Sequence, residues 1–257
     1  MLISLIVKSM QYMEVPTIKG GDLKKLEKGS QLSFAVIFTS KDCRTCEDAI
    51  DEMSDVYQEL FEVLDIYQIS CSKESNVATC EKYGATKFPM LKMFNHRGST
   101  PVPAEYFGKY ESDVIESFLH ERIRDPFAVA ENAHALVDFM LTKALEGFHM
   151  FFMTPSKKPA EFLYKLGKQY FGKANIIVQV GLDEEQKKIY EQVNHFVGKF
   201  NPDEINAFAA VGGSLHFFPF PIDADEPEQV FQWAQELMEY FQNNAGKQQI
   251  ADDEDDF

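Results

Sequence analysis

The chain has 257 residues, enough for one large domain or two of ordinary size, and we expect two. Its 25 Lys and Arg against 41 Asp and Glu give a net charge of -16, which argues against binding nucleic acid or anionic membrane surfaces. A hydrophobic content of 45% with 23 Phe is typical of a globular protein, and no stretch approaches the roughly 20 consecutive apolar residues of a membrane-spanning helix.

The N-terminal segment from Met1 to Val7 is apolar but short. It has no basic start and is followed by Lys8 rather than a small-residue cleavage site, so it is a poor signal peptide. Two interpretations remain: an edge strand of the first domain, or the remnant of a signal peptide.

The stretch from about Val15 to Arg124 predicts a first unit of the order β-α-β-α-β-β-α, preceded by a short helix. Its predicted strands cover residues 34–38, 63–70, 90–94 and 104–106, and its predicted helices cover 21–26, 47–64, a short segment ending at 84, and 112–123. Ser112, Asp113 and Glu116 form the start signal of the last helix.

Cys43 and Cys46 stand between a predicted buried strand and a predicted helix, and this spacing indicates a redox pair. We expect Cys43 at the helix N-terminus, where the macrodipole favours the thiolate that attacks disulfides. Cys46 is one turn further on, placed to resolve the mixed disulfide. Zinc sites use the same spacing but need two more ligands, and none of the six histidines has paired ligand spacing with these cysteines. We therefore expect no metal.

Cys71 and Cys80 are the other two cysteines, and four cysteines allow three pairings. A cytosolic protein would keep such a pair reduced, whereas a secretory compartment would let it close. Their spacing alone does not choose between these states.

A second unit is predicted after Asp125–Pro126, because the residue before proline is pushed out of helical geometry. Its predicted strands cover 148–153, 175–180, 207–211 and 215–220, and its predicted helices cover 159–171, 184–200 and 226–243. This repeats the first unit's order without cysteines, which gives domains at 1–125 and 126–245. Residues 246–257 contain the acidic run 252–256 and are expected to be a disordered tail, with low-affinity calcium binding as the alternative.

The segment from Gly84 to Phe94 resembles the part of the thioredoxin superfamily in which a cis proline packs beside the redox pair. Narrower matches lie at 70–71, 80–84, 106, 108–111, 113 and 118–122, and these resemble the catalytic domains of the protein disulfide isomerase family. Several of those domains have a second cysteine pair in these places. The resemblance covers roughly 15–124. For 126–245 it is architectural, similar to the family's non-catalytic b-type domains, with Ser156 to Pro159 where a redox pair would fall.

The resemblance implies an α/β fold of two tandem thioredoxin-like domains, each a mixed sheet flanked by helices. It implies a thiol-disulfide oxidoreductase and protein disulfide isomerase that acts on protein cysteines and needs no cofactor. The implied residues are Cys43 as nucleophile, Cys46 as resolving thiol, Arg122 as modulator of Cys46, Arg44, Thr45, Phe88 and Pro89 at the substrate, and Cys71 with Cys80 as a structural disulfide. The resemblance also implies a cis Phe88–Pro89 peptide bond. Arg122 has an alternative interpretation, as a surface arginine near a helix C-terminus.

Several positions depart from the family pattern. The usual aromatic residue before the motif is Asp42, the Gly-His pair is Arg44–Thr45, and the following basic residue is Glu47. Ile37 replaces the buried carboxylate expected six residues before Cys43, so the resolving step should lose roughly 10²-fold in rate. The acids also oppose the thiolate, although Arg44 partly offsets them. We expect a slow and more reducing exchanger.

Two other functions remain open: a redox-weak chaperone or adaptor that binds unfolded polypeptides, and an intracellular thioredoxin-like reductase. The second unit has a high density of aromatics at 148, 151, 152, 217, 218 and 220, most of which we expect in the core, and His149 and His216 are expected to be ordinary strand residues. Expected partners are cysteine-containing or unfolded proteins and a thiol or disulfide redox partner, with no nucleic acid and no membrane span. The family resemblance favours the endoplasmic reticulum lumen, although the chain has no Lys-Asp-Glu-Leu-like ending.

Overall fold

The chain divides into two compact units, one ending at Arg124 and the other beginning at Asp125. The computed structural model describes residues 13–97, 102–130, 132, 147–182, 187–188, 201, 203–211, 214–217, 222–223 and 226–251. No helix within these ranges is long and apolar enough to cross a bilayer. Each unit is built around its own sheet.

The first unit contains four strands and four α-helices in the described ranges. In chain order they are α1 (Gly20–Gly29), β1 (Phe34–Thr39), α2 (Cys46–Leu60), β2 (Asp65–Ser70), α3 (Val77–Lys82), β3 (Met90–Phe94), β4 (Ala104–Glu105) and α4 (Ser112–His120). The sheet has the order β2-β1-β3-β4, with β1 parallel to β2 and antiparallel to β3, and β3 antiparallel to β4. It is therefore a mixed sheet.

The edge of this sheet continues beyond β2. Thr17 forms an isolated parallel bridge with Gln68, and the N–H of Ile18 donates to the Gln68 carbonyl at 2.9 Å. The predicted strand at Met1 to Val7 lies outside the described residues. Residues 16–18 form an edge segment that pairs with β2. This pairing was not predicted from the sequence.

The buried strand β1 packs on both faces, because successive side chains of a strand point to opposite sides. Phe34, Val36 and Phe38 join a core cluster with Leu23 of α1 and residues of α3 and β3. Ala35 and Ile37 are fully buried on the opposite face. A strand covered on both faces fixes the point at which the chain leaves the sheet toward the cysteine pair.

The second unit contains five strands and two long helices in the described ranges. They are β5 (Ala128–Ala130), β6 (Phe148–Thr154), α5 (Glu161–Tyr170), β7 (Asn175–Val180), β8 (Asn206–Val211), β9 (Ser214–Phe217) and α6 (Glu228–Ala251). The sheet order is β5-β7-β6-β8-β9, with β7 parallel to β5 and β6, and β8 antiparallel to β6 and β9. Its core cluster combines α5 and α6 with one face of β6.

Several elements differ from the sequence predictions. Helix α2 ends at Leu60 rather than Leu64, because Leu64 is buried as the lead-in to β2. Strand β5 was not predicted. Helix α4 has Glu111 as its N-cap residue without a side-chain cap, and the N–H of Ser112 instead donates to Glu52 Oε2 at 2.7 Å. Helix α6 continues to Ala251, past the predicted end at 243.

Two other predictions lie largely outside the described ranges. The helix predicted at 184–200 is described only at 187–188, where the backbone is helical. The last six residues of the predicted tail, 252–257, are not described, so the predicted calcium alternative stays a prediction.

Candidate functional site

The redox pair lies in the loop that joins β1 to α2. Cys43 and Cys46 form a disulfide with a Cα–Cα distance of 5.4 Å. Cys43 is partly exposed, whereas Cys46 is only 4% exposed. A substrate therefore reaches the first sulfur more easily than the second.

The helix begins one residue earlier than predicted, and Cys43 lies outside it. Cys46 is the first residue of α2, with Thr45 as its N-cap residue, so the expected position of Cys43 at the helix N-terminus is wrong for its backbone. The Cys43 N–H instead donates to the Ser40 carbonyl at 3.1 Å in a turn before the helix. The sulfur still lies at the positive end of α2, because the disulfide joins it to Cys46.

Thr45 contributes a hydroxyl beside the first sulfur. Its Oγ1 lies 3.7 Å from Cys43 Sγ, and it makes no side-chain cap bond to α2. Because the sulfur carries no hydrogen in the disulfide, the hydroxyl is the donor in this contact. In the reduced protein the same donor would stabilise a Cys43 thiolate.

The surroundings of the pair are mostly acidic and exposed. Asp42, Glu47 and Asp48 are all exposed, and so is Arg44, the one cation within the motif. The acids disfavour a thiolate and the arginine favours it. Solvent screens these exposed charges, so the Thr45 hydroxyl is the more local influence.

Ile37 is an interior residue of β1, the strand that leads into the redox loop. It is 0% exposed in β1, two residues before the strand ends at Thr39. An aliphatic side chain at this position cannot move a proton to or from Cys46. The structure thus places no carboxylate at residue 37 to act as a general base.

Three segments meet at the end of the sheet where β1 leaves it. Phe38 pairs with Met90, so the Phe88–Pro89 dipeptide directly before β3 lies at this end, and its peptide bond is cis, which confirms that prediction. Cys71 follows β2 here, and its N–H donates to the Thr39 carbonyl at 2.8 Å. The register therefore gathers the redox loop, the cis proline and the second cysteine pair.

A pair of serines ties the redox loop to the segment after β2. Ser72 Oγ accepts the Lys41 N–H at 2.8 Å and lies 3.1 Å from Ser40 Oγ. This contact was not predicted. Its one signal was that Ser40 and Ser72 follow two neighbouring strands, whose parallel pairing brings the carboxyl ends to one edge.

Cys71 and Cys80 form the second disulfide, with a Cα–Cα distance of 5.9 Å. Cys80 is 3% exposed and belongs to the core cluster on the α1 side of the sheet. Inside the closed loop, the buried amide of Asn76 accepts the Gly20 N–H and donates to the Ser70 carbonyl, both at 2.9 Å. The disulfide therefore joins the end of β2 to α3, with its Cys80 side in the core.

Arg122 lies just beyond α4 and interacts with its own neighbourhood. Its guanidinium carbon lies 4.3 Å from the centre of the Phe118 ring, and its Nη1 donates to the Phe118 carbonyl at 3.1 Å. Nη1 also lies 3.4 Å from Glu121 Oε2. These contacts hold the arginine at the helix C-terminus, and its action on Cys46 stays a proposal.

The corresponding loop of the second unit has a different chemistry. Thr154 ends β6 as Thr39 ends β1, and residues 155–158 that follow are exposed. The sequence there, Ser156 to Pro159, contains no cysteine. Ser156 and Thr154 carbonyls both accept the Gly181 N–H, at 2.8 and 3.0 Å. This loop is polar and has no exchangeable sulfur.

The aromatics of the second unit's central strand are core residues. Phe148, Phe151 and Phe152 are at most 2% exposed, as predicted for most of this set. His149 is 1% exposed and its ring stacks on Phe151, while the ring of His216 contacts Tyr240. The side chains at 217, 218 and 220 are not described. Across the described part of the chain, no three His, Cys, Asp or Glu side chains come together as a metal-binding group.

Comparison with known proteins finds no matching family model and no matching curated sequence. Among solved structures, the chain resembles ERdj5 in its crystal form II, with a TM-score of 0.53 and 10% identity, over 89% of this chain and 30% of that chain. It also resembles zinc-bound human ERp44, with a TM-score of 0.37 and 13% identity over 88% of this chain and 58% of that one. Chloroplastic thioredoxin z matches with a TM-score of 0.37 and 15% identity, over 42% of this chain and 94% of that one.

The chain spans less than a third of the ERdj5 structure that it matches. At this identity the likeness concerns the fold. Together with the two sheet topologies, it shows an α/β fold of two tandem thioredoxin-like domains, each a mixed sheet flanked by helices.

Proposed function

We propose that the chain is a thiol-disulfide oxidoreductase of the protein disulfide isomerase type, with residues 1–125 as the catalytic domain and 126–245 as a redox-inactive domain. One observation supports this most: a partly exposed Cys43 bonded to a buried Cys46 at the start of α2, at the same end of the sheet as cis Pro89. This arrangement separates an accessible attacking sulfur from a protected resolving sulfur.

The exchange begins with the reduced pair. The Cys43 thiolate attacks one sulfur of a substrate disulfide, that bond breaks, and the leaving thiolate takes a proton from solvent. Cys46 then loses its proton and attacks Cys43 Sγ, which breaks the mixed disulfide and releases the second substrate sulfur as a thiolate that takes up a proton in its turn. The substrate gains two electrons and two protons, and the protein is left with the Cys43–Cys46 disulfide. The reverse sequence oxidises a substrate dithiol, and a thiol or disulfide partner resets the pair.

Four groups assist these steps in the proposal. The Thr45 hydroxyl, 3.7 Å from Cys43 Sγ, donates to the thiolate. The backbone at Phe88 pairs with an extended substrate segment, with Arg44 exposed beside the entering chain. Arg122 supports the Cys46 thiolate when it leaves its contacts with Phe118 and Glu121.

The expected exchange is slow. Ile37 cannot relay the Cys46 proton, which removes a contribution of roughly 10²-fold to the resolving step. The acids beside Cys43 and the lack of a histidine make the disulfide more reducing than that of strongly oxidising members. A measured potential well above about -180 mV would contradict this expectation.

The closed Cys71–Cys80 pair supports an oxidising compartment, and with the family resemblance it supports the endoplasmic reticulum lumen as the proposed location. The proposed substrates are cysteine-containing or unfolded proteins. The oxidation state of Cys71 and Cys80 in protein isolated from its native cell tests the location, since a reduced pair there would oppose it.

A second candidate function is a redox-weak chaperone or adaptor, favoured by the aliphatic Ile37, which supplies no carboxylate in the strand before the redox loop. Insulin reduction and refolding of scrambled ribonuclease separate the two candidates when the wild type is compared with Cys43→Ser. The oxidoreductase proposal predicts activity that Cys43→Ser abolishes. Equally low activity in both proteins would favour the binding function.

A further inference from the structure

Phe107 is the most exposed large apolar side chain among the described residues, with 86% of its surface accessible. Leaving an aromatic ring in water gives up roughly 1.5–3 kcal/mol of the burial free energy that a core position would supply. Neither the redox pair nor the core of the first unit uses this ring. We therefore ask what function an exposed Phe107 side chain serves.

The backbone that carries Phe107 is held firmly on both sides. The Tyr106 N–H donates to the Leu91 carbonyl at 3.0 Å, and the Tyr106 hydroxyl donates to the Lys109 carbonyl. The Tyr106 ring is 7% exposed, and a Cβ at Gly108 would lie within 2.8 Å of it. Phe107 is thus presented by a packed turn, with its ring outside.

The register of the sheet places this ring at the redox end. Lys92 pairs with Glu105 and Met93 with Ala104, and beyond the end of β4 the Tyr106 N–H still donates to the Leu91 carbonyl, so the chain that leads to Phe107 runs along β3 toward Met90. Met90 directly follows the cis Phe88–Pro89 bond. In the sheet order, β4 lies two strands from β1, so the backbone before Phe107 is about 10 Å from the line of β1, or about three residues of an extended chain.

We infer that Phe107 is a specificity-determining residue, which contacts an apolar side chain within about three positions of the reacting cysteine in an extended protein substrate. This inference rests on the proposed function and names its substrate class. An apolar flank packs against the exposed ring and removes both from water, whereas a polar flank gains nothing from it. Substrates that lack a polypeptide flank, such as glutathione disulfide, do not reach the ring's position and are indifferent to it.

The test uses the full-length protein and disulfide-linked peptides in which a single Phe is moved over three positions on each side of the cysteine, against an all-Ser parent. For the wild type, kcat/KM for the best Phe peptide should exceed that for the parent by about fivefold. In Phe107→Ser this preference should disappear, while the rate with glutathione disulfide stays unchanged.

Phe61→Ser is the matched control. Phe61 is 41% exposed and follows the end of α2, whose 15 residues carry it roughly 22 Å from the redox pair. This variant should keep the wild-type preference. A preference that survives in Phe107→Ser, or that Phe61→Ser loses equally, overturns the inference.

A binding measurement separates this inference from the proposed function. The best Phe peptide with serine in place of its cysteine cannot react, so its affinity for the oxidised protein depends on the surface alone. Weaker binding to Phe107→Ser than to the wild type supports the inference even in a protein that fails to reduce glutathione disulfide. Equal binding to both overturns it even where exchange is active.

Discussion

Replacing Thr45 with valine removes the hydroxyl beside Cys43 while keeping the size and shape of the side chain. A hydrogen bond to a charged group contributes about 1.5–3 kcal/mol when well formed and buried. This one joins Oγ1 and Sγ over 3.7 Å at an exposed residue, so we take a discounted value of about 1 kcal/mol. Losing it raises the pKa of the Cys43 thiol and lowers the thiolate fraction at pH 7 about fivefold.

The assay is the pH dependence of Cys43 alkylation by iodoacetamide, in a Cys46→Ala background with the Cys71–Cys80 disulfide intact. Thr45→Val should react about fivefold more slowly at pH 7 and equally fast at high pH, where both thiols are ionised. Thr45→Ser retains the hydroxyl and should match the parent. If Thr45→Val gave the same pH profile as Thr45→Ser, the hydroxyl would have no part in stabilising the thiolate.

Three further predictions concern stability and rate. Replacing Cys71 and Cys80 with alanine opens a loop of about ten residues and should lower the free energy of unfolding by about 2.7 kcal/mol in urea denaturation; an unchanged midpoint would show that core packing alone holds α3. Ile37→Glu should speed release of a glutathione mixed disulfide by up to about 10²-fold at a cost in stability, with circular dichroism to check folding, and a rate no faster than wild type in the folded variant would refute the role of the missing carboxylate. Partial burial raises the pKa of Glu27, but hydrogen bonds with Lys82 and Tyr83 lower it by more, so the pKa lies below its ordinary value of 4.5. The Lys82–Glu27 ion pair therefore contributes its full stability above pH 4.5 and loses it as the pH falls through the lowered pKa. Glu27→Gln should reduce the fall in the free energy of unfolding between pH 6 and pH 3 by at most about 0.5 kcal/mol, measured by denaturation over that pH range.

Elements with strong local signals could be predicted from the sequence. Strands β3 (Met90–Phe94) and β7 (Asn175–Val180) have the predicted bounds, because each is a short apolar run that is buried in its sheet. The positions of Cys43 and Cys46 between strand and helix also follow from local pattern. These features depend on neighbours within a few residues.

Features set by distant pairing could not be predicted. Strand β5 is three residues long and exists through its parallel ladder with β7, almost fifty residues away in sequence. The contact of Ser72 with Ser40 and Lys41 likewise depends on the register of β1 and β2. Secondary-structure propensity does not predict contacts between residues that are distant in the sequence.

Phe107 shows a different limit of the sequence. An aromatic residue next to Tyr106 after a short strand is typically buried, and only the alternation of the β4 extension places Tyr106 inside and Phe107 outside. The exposure of Phe107 follows from this alternation, and the residue types around it do not predict it.

Trapping of a mixed disulfide tests the central claim most directly. A Cys46→Ala variant incubated with a disulfide-bonded protein substrate should accumulate one adduct, joined through Cys43, that dithiothreitol releases and peptide mass spectrometry locates. Absence of the adduct, or attachment through Cys71 or Cys80, would contradict the assignment of Cys43 as the attacking thiol.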